Sequence, residues 1–367
     1  MGTMILKRPV IAVAGSSGKT TTKEMIASIL QTRWRVFKSL SNNNNRRAHR
    51  WHVKQIRPHH RAVVLEFGMS YWGHLKTSCQ IIQPNISIVT MIGTAHLGNF
   101  GGKLDYLIRA KSDIIRNMKS TGIAFVNADD PNSTKMRFGA FKGRLLKVGI
   151  KNKADYHALD VKYSKQGMSF KIRLRGSIHS FTIPTFGIHN VYNALFAIGV
   201  ADVLGFKTSE MQRGLARYHK PVHRLHISFP RKGIRLIDDT FNANPNSAKA
   251  AIDVIEHIAE GPKILVLGSM AELGRYTVQG HIDVGNYVAR RRVDHLFTFG
   301  NSARIIARQA IKAGLSPKKV QHFVNRNQLN RELLRKVKPK STVLIKGSNV
   351  TRMYETVRFL QRFLPKG

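Results

Sequence analysis

The residues best suited to chemistry lie in AVAGSSGKTTTKEM, positions 12–25. A strand-like run reaches Gly15 and passes through Ser16, Ser17 and Gly18 to Lys19, Thr20 and Thr21 at a helix start. Backbone N–H groups at such a turn, with the positive end of the helix dipole, make an anion site. Lys19 can neutralise charge on the β- and γ-phosphates of a nucleotide, and the Thr20 hydroxyl can join a Mg²⁺ shell. The spacing nevertheless departs from the common phosphate loop of Gly, four residues, then Gly-Lys-Ser/Thr. Counting back from Gly18, Val13 stands where the first glycine belongs, and Gly15 leaves only two serines between. Two readings stay open: a shortened nucleotide loop, or an ordinary strand–turn–helix with an accidental Gly-Lys-Thr. Glu66 in LEFGMS and His96 in GTAHLG each follow another buried, strand-like run. Strand C-termini line the ligand crevice of an open α/β sheet, so these two could complete a divalent-metal shell facing a triphosphate.

The elements that must position these residues alternate. PVIAVAG, AVVLEFG (62–68) and ISIVTMIG (86–93) are β-branched runs ending at glycine, and IAFVNADDP closes a further strand. TTTKEMIASIL and KLDYLIRAKSDIIRNM carry helical periodicity. The alternation predicts a mainly parallel sheet covered on both faces. From about Gly143 to Gly187, YHALDVKYS, SFKIRLRG and SFTIPTFG alternate apolar and polar residues, which predicts a small antiparallel sheet appended to the first domain. A helix, VYNALFAIGVADVLGF, leads to a boundary near Pro221. The α/β rhythm then restarts with RLIDDT, KILVLGSM, HLFTFG, QHFVN and STVLIKG as strands.

Length and composition set bounds. A chain of 367 residues can bury two cores, and 42 % hydrophobic content marks it as globular. The single cysteine, Cys79, excludes an intramolecular disulfide and a multi-thiolate metal site. The apolar run before Ser16 is too short for a signal core or a membrane span, so a cytoplasmic protein is expected. Lys and Arg number 61 against 20 Asp and Glu, a formal charge of +41. Between Gln31 and Leu65 stand nine Lys/Arg, four His and no acid. Such a balance suits polyanionic partners, or else reflects basic residues spread over solvated faces.

The ordered set AGSSGKTTTKEM, VVLEFGMS, VTMIGTAHLGNFG, RAKSDI, NADDP, GIHNVYNAL, HRL, IDDTFNANPNS, VLGSMAELG and VLIKGS resembles the Mur ligase family over Val10 to Val357. Within it the nearest likeness is to the MurF-type branch, which adds D-alanyl-D-alanine to a muramoyl tripeptide. The resemblance implies a P-loop-type central ATP-binding domain over 1–222, mainly parallel with a small antiparallel sheet. It implies a Rossmann-like α/β domain over 223–367. The family uses the shortened loop, which settles the opening ambiguity in favour of a nucleotide site. It further implies that Gly15, Ser16, Ser17, Gly18, Lys19, Thr20 and Thr21 cradle ATP, and that Thr20, Glu66 and His96 serve two Mg²⁺ ions. Lys111 matches a lysine that many members carry as a carbamate, an anion able to hold the second ion. Asn193, with Asn190 as a second candidate, matches an adenine contact, Arg224 a γ-phosphate contact and Asp239 a nucleotide-contacting acid. Asn242 and Asn244 share that loop. The catalytic set so implied is Lys19, Lys111, His96 and Arg224. The reaction implied is acyl-phosphate ligation: a carboxylate attacks the γ-phosphate, and an amino acid or dipeptide amine then displaces phosphate.

Two departures bear on the substrate. The chain begins nine residues before the first strand, so the family's N-terminal uridine-nucleotide domain is expected to be missing, with a partner protein as one replacement. SNNNNRRAHRW stands where the family has Gly-Asn-x-Asn-Asn followed by Gly and Pro. Asn42, Asn44 and Asn45 fit, whereas Ala48 and Arg50 replace the glycine and proline, so an Arg/His-rich surface is expected on the acceptor side. A muramoyl peptide or an acidic polymer fits such an acceptor. An ATP-binding subunit or regulator derived from a ligase, and a polyanion-binding ATPase, remain alternatives. The sequence carries no RNP motif or zinc-finger spacing, so nucleic acid is not the expected partner.

Overall fold

The computed structural model describes residues 2–230 and 233–364. Contacts divide the chain into two compact units, Met1–Pro221 and Val222–Gly367. Among the described residues no helix is long and apolar enough to cross a membrane.

Unit 1 is built on one nine-stranded sheet. Its strands in chain order are β1 (Val10–Ala14), β2 (Val36–Lys38), β3 (Ala62–Glu66), β4 (Ile86–Val89), β5 (Ile123–Asn127), β6 (Arg144–Gly149), β7 (Tyr156–Ser164), β8 (Gly167–Leu174) and β9 (Ser177–Ile183). Their spatial order is β2-β3-β1-β4-β5-β6-β7-β8-β9. β1, β3 and β4 are buried along their whole length, as expected for parallel strands covered on both faces. The helices are α1 (Lys19–Leu30), α2 (Arg46–Gln55), α3 (His74–Ile81), α4 (Leu104–Arg116), α5 (Ile188–Val203) and α6 (Thr208–Ala216). α5 is apolar almost all round and lies in the core with Met25, Ile26 and Ile29 of α1.

The antiparallel part runs as expected in β7, β8 and β9, and one difference lies in how it joins the rest. It is no separate sheet: β6 pairs in parallel with both β5 and β7, and only β7, β8 and β9 run antiparallel. The alternating stretch from Gly143 therefore holds one more parallel strand. β6 is partly exposed and carries two basic residues among its apolar ones, so it lacks the continuous apolar run that marks a buried parallel strand. A second difference concerns the basic segment. RRAHRWHVKQ is a helix, α2, in which His49 and His52 are fully buried while Arg46, Arg47 and Arg50 are exposed. The expected Arg/His surface is thus an arginine surface with the histidines beneath it.

Unit 2 holds β10 (His226–Ser228), β11 (Arg235–Asp239), helix α7 (Pro245–Ile258), β12 (Lys263–Gly268), β13 (His295–Phe299), β14 (Val320–Phe323) and β15 (Thr342–Lys346). The strand order is β10-β11-β15-β12-β13-β14, parallel except for β10 against β11. Sequence reading passes over β2 and β10, three residues each, as well as β6.

Candidate active site

The shortened loop is held by its two glycines. Gly15 has φ 143°, and a Cβ there would stand 1.9 Å from Thr90 Oγ1. Gly18 caps α1 in the left-handed region at φ 83°, where a Cβ would lie 2.5 Å from Asn193 Oδ1. Both positions therefore exclude any other residue without rearrangement. The loop is tied to the end of β4: Ser16 N–H donates to Met91 O at 2.8 Å, and Thr90 Oγ1 donates to Ser17 O at 2.6 Å. Lys19 Nζ donates to Gly15 O at 3.0 Å, folding the side chain back over the turn.

Glu66 ends β3, beside β1, with only 2 % of its surface exposed. The Thr20 hydroxyl donates to Glu66 Oε2 at 2.7 Å, and Asn44 Nδ2 donates to Oε1 at 2.7 Å. Two expected metal residues are therefore in direct contact. The asparagine run is itself anchored from α1, where the buried Lys23 Nζ donates to Ser39 O at 2.7 Å and Ser41 O at 2.6 Å.

Lys111, on α4, is 1 % exposed. Burial, reinforced by the charge of Lys19, lowers its pKa to about 7. Among the described residues no carboxylate pairs with it. His96 lies on the loop after β4 at φ 62°, a left-handed conformation that costs a non-glycine residue roughly 1–2 kcal/mol. Its charge helps depress the pKa of the buried His74, after burial itself. Among the described residues no three His, Cys, Asp or Glu side chains gather into a metal-holding group.

On α5, Asn193 Oδ1 accepts from Thr22 Oγ1 at 3.0 Å, and Asn193 Nδ2 donates to Asn190 Oδ1 at 3.0 Å. Asn190 Nδ2 in turn donates to Phe186 O at 2.7 Å. The asparagine pair thus borders the loop through Gly18 and Thr22.

In unit 2, Asp239 ends β11 and accepts from Lys346 Nζ at 2.6 Å and from Leu225 N–H at 3.2 Å. Lys346, 2 % exposed, also donates to Asn242 O at 2.9 Å. The Arg224 guanidinium lies over the Phe241 ring, 4.1 Å from its centre. His223 Nδ1 lies 2.6 Å from Asp238 Oδ2. Asn244 caps α7, accepting from Ser247 N–H at 2.9 Å, so its side chain has a local structural task.

Sequence reasoning assigns no role to Lys346, Ser39 or His49, and places Asn44 only within the asparagine run. Asn44 and Lys346 sat inside recognisable segments, the asparagine run and VLIKGS. A histidine in a basic run reads as surface, and nothing marked His49.

These features define a class first: a phosphate-loop α/β unit followed by a second, mainly parallel α/β unit. Residues 13–201 match the model of the Mur ligase middle domain, and residues 223–349 that of the Mur ligase, glutamate ligase domain. The UDP-N-acetylmuramoyl-tripeptide–D-alanyl-D-alanine ligase of Bacillus subtilis (strain 168) is 32 % identical over 96 % of this chain and 75 % of its own length. The crystal structure of MurF from Acinetobacter baumannii superposes with a TM-score of 0.88 at 31 % identity, covering 96 % of this chain and 76 % of that one. MurF from Thermotoga maritima, solved in complex with ADP, gives 0.85 at 25 % identity over 97 % and 80 %. The chain belongs to the Mur ligase family, the ATP-dependent amide ligases of peptidoglycan synthesis, and is MurF-like within it.

Proposed function

We propose that this chain joins the terminal carboxylate of a muramoyl tripeptide to the amine of D-alanyl-D-alanine, in the cytoplasm and at the expense of ATP. The observation that carries the reading is the clustering of Lys19, Thr20, Glu66 and the buried, carboxylate-free Lys111 around one glycine loop. A buried lysine that also feels the charge of Lys19 beside the loop suits an anionic ligand there.

In this reading the loop from Gly15 to Thr21 cradles the phosphates, and Asn193 with Asn190 borders the adenine. Lys19 offsets the charge that grows as a carboxylate oxygen attacks the γ-phosphorus and ADP departs. The amine then attacks the acyl carbon, phosphate leaves with one oxygen of the original carboxylate, and the ammonium sheds its proton. Mg²⁺ bound at Thr20, Glu66 and His96 would supply further charge neutralisation. A pKa near 7 leaves a large share of Lys111 neutral at physiological pH. That form adds CO₂ to give a carbamate and a proton, turning an unpaired cation into a second anionic ligand. From unit 2, Arg224 and Asp239 are assigned to the nucleotide.

The test is a combined measurement of ADP and amide product with a UDP-muramoyl tripeptide and D-alanyl-D-alanine. One ADP per amide, with no turnover when either substrate is omitted, is expected. ATP hydrolysis without product, or stimulation by nucleic acid instead, would favour the regulator or polyanion-ATPase readings.

A further inference from the structure

In a parallel sheet the N–H and C=O of one residue face the same neighbour. At Glu66 that neighbour should be β2, because Phe67 N–H, one residue on, donates to Val13 O of β1 at 2.9 Å. β2, however, stops at Lys38, in register with Val64, and only Ser39 N–H continues the ladder, to Val64 O at 3.0 Å. Side chains take over where the strand ends. Glu66 N–H donates to Ser39 Oγ at 3.0 Å, and His49 Nε2 lies 2.9 Å from Glu66 O. A carbonyl can only accept, so His49 is the Nε2–H tautomer and donates. Its ring is fully buried and packs against Phe67, centroids 4.6 Å apart.

From these contacts we propose that His49 is a positioning residue for Glu66. Its hydrogen bond fixes the end of β3, so that the carboxylate held between Thr20 and Asn44 points into the nucleotide site. The inference rests on the proposed role of Glu66 as a metal ligand. The backbone and carboxylate of Glu66 are held at four points, from α1, α2, the Ser39 turn and the asparagine run. Removing the α2 point leaves a buried carbonyl without a donor and lets the strand end drift. Partners that orient a metal ligand typically change metal affinity by about 10- to 100-fold.

The experiment measures Mn²⁺ binding by electron paramagnetic resonance, in the presence of a non-hydrolysable ATP analogue, with thermal melting of each protein alongside. His49→Leu should raise the Mn²⁺ Kd by about tenfold or more. His49→Gln, whose amide can place an N–H where Nε2–H lies, should restore it. Glu66→Gln should weaken binding at least as much as His49→Leu. Ser39→Ala removes the matching contact on the Glu66 N–H, should weaken binding in the same direction, and serves should His49→Leu not fold. Wild-type affinity in His49→Leu, or in Ser39→Ala where that stands in, beside weakened Glu66→Gln would overturn the inference, even with a lowered melting temperature. Wild-type affinity in Glu66→Gln would instead overturn the metal-ligand reading, and the inference with it.

Discussion

Lys19 and Lys111 carry the chemistry of the account, and each makes a separate prediction. Lys19→Ala should leave the fold intact while removing a charge-assisted contact worth on the order of 3 kcal/mol in the transition state. Turnover measured by ADP release should therefore fall on the order of 100-fold or more, with an unchanged melting curve. For Lys111 the folded-state pKa of about 7 lies below the ordinary lysine value of 10.5. Between those values the unfolded chain holds the extra proton, so this lysine makes stability rise with pH across that window and adds no slope below it. Lys111→Met should flatten the rise, seen in urea melts from pH 7 to 9.5 in CO₂-free buffer. Lys111→Ala should lose activity and regain part of it with short-chain carboxylic acids. A fully active Lys111→Arg enzyme would remove the carbamate from the account. The sequence marked both lysines by their motifs, yet burial of Lys111 without a counter-ion could be seen only once α4 was packed.

At the scale of elements, the strands that bring Gly15, Glu66 and His96 to one edge were legible because buried parallel strands are continuous β-branched runs. α2 was not legible. Its ten residues include four Lys/Arg and two His, and its inward face is polar, so no apolar stripe announced a helix. Only the geometry shows two histidines filling the place of core side chains, with burial lowering the pKa of His49 to about 4. The outer face keeps Arg46, Arg47 and Arg50 in solvent, next to the asparagine run that reaches Glu66. We assign that arginine face to an anionic part of the acceptor, held by bidentate contacts. Replacing all three with Gln should raise the acceptor KM steeply and leave the KM for ATP near its original value. Added salt should imitate the substitution, because exposed charges are screened within about 10 Å at 0.1 M ionic strength. Unchanged acceptor KM and salt response would leave the arginines as solvated surface charge.

For the whole molecule, two α/β units and their order were readable from where the strand–helix rhythm pauses and restarts near Pro221. The continuity of the nine-stranded sheet was not, because pairing between β6 and β7 rests on register rather than on composition. The +41 charge names no partner by itself. The family motifs and the glycine loop narrow the reaction to one in which ATP activates a carboxylate for an amine. That claim is tested most directly by isotope transfer. Muramoyl tripeptide labelled with ¹⁸O in its terminal carboxylate is incubated with ATP, D-alanyl-D-alanine and the enzyme, and the released phosphate is analysed by mass spectrometry. An acyl-phosphate route predicts one ¹⁸O in each phosphate formed with the amide; amide formed alongside unlabelled phosphate would contradict it.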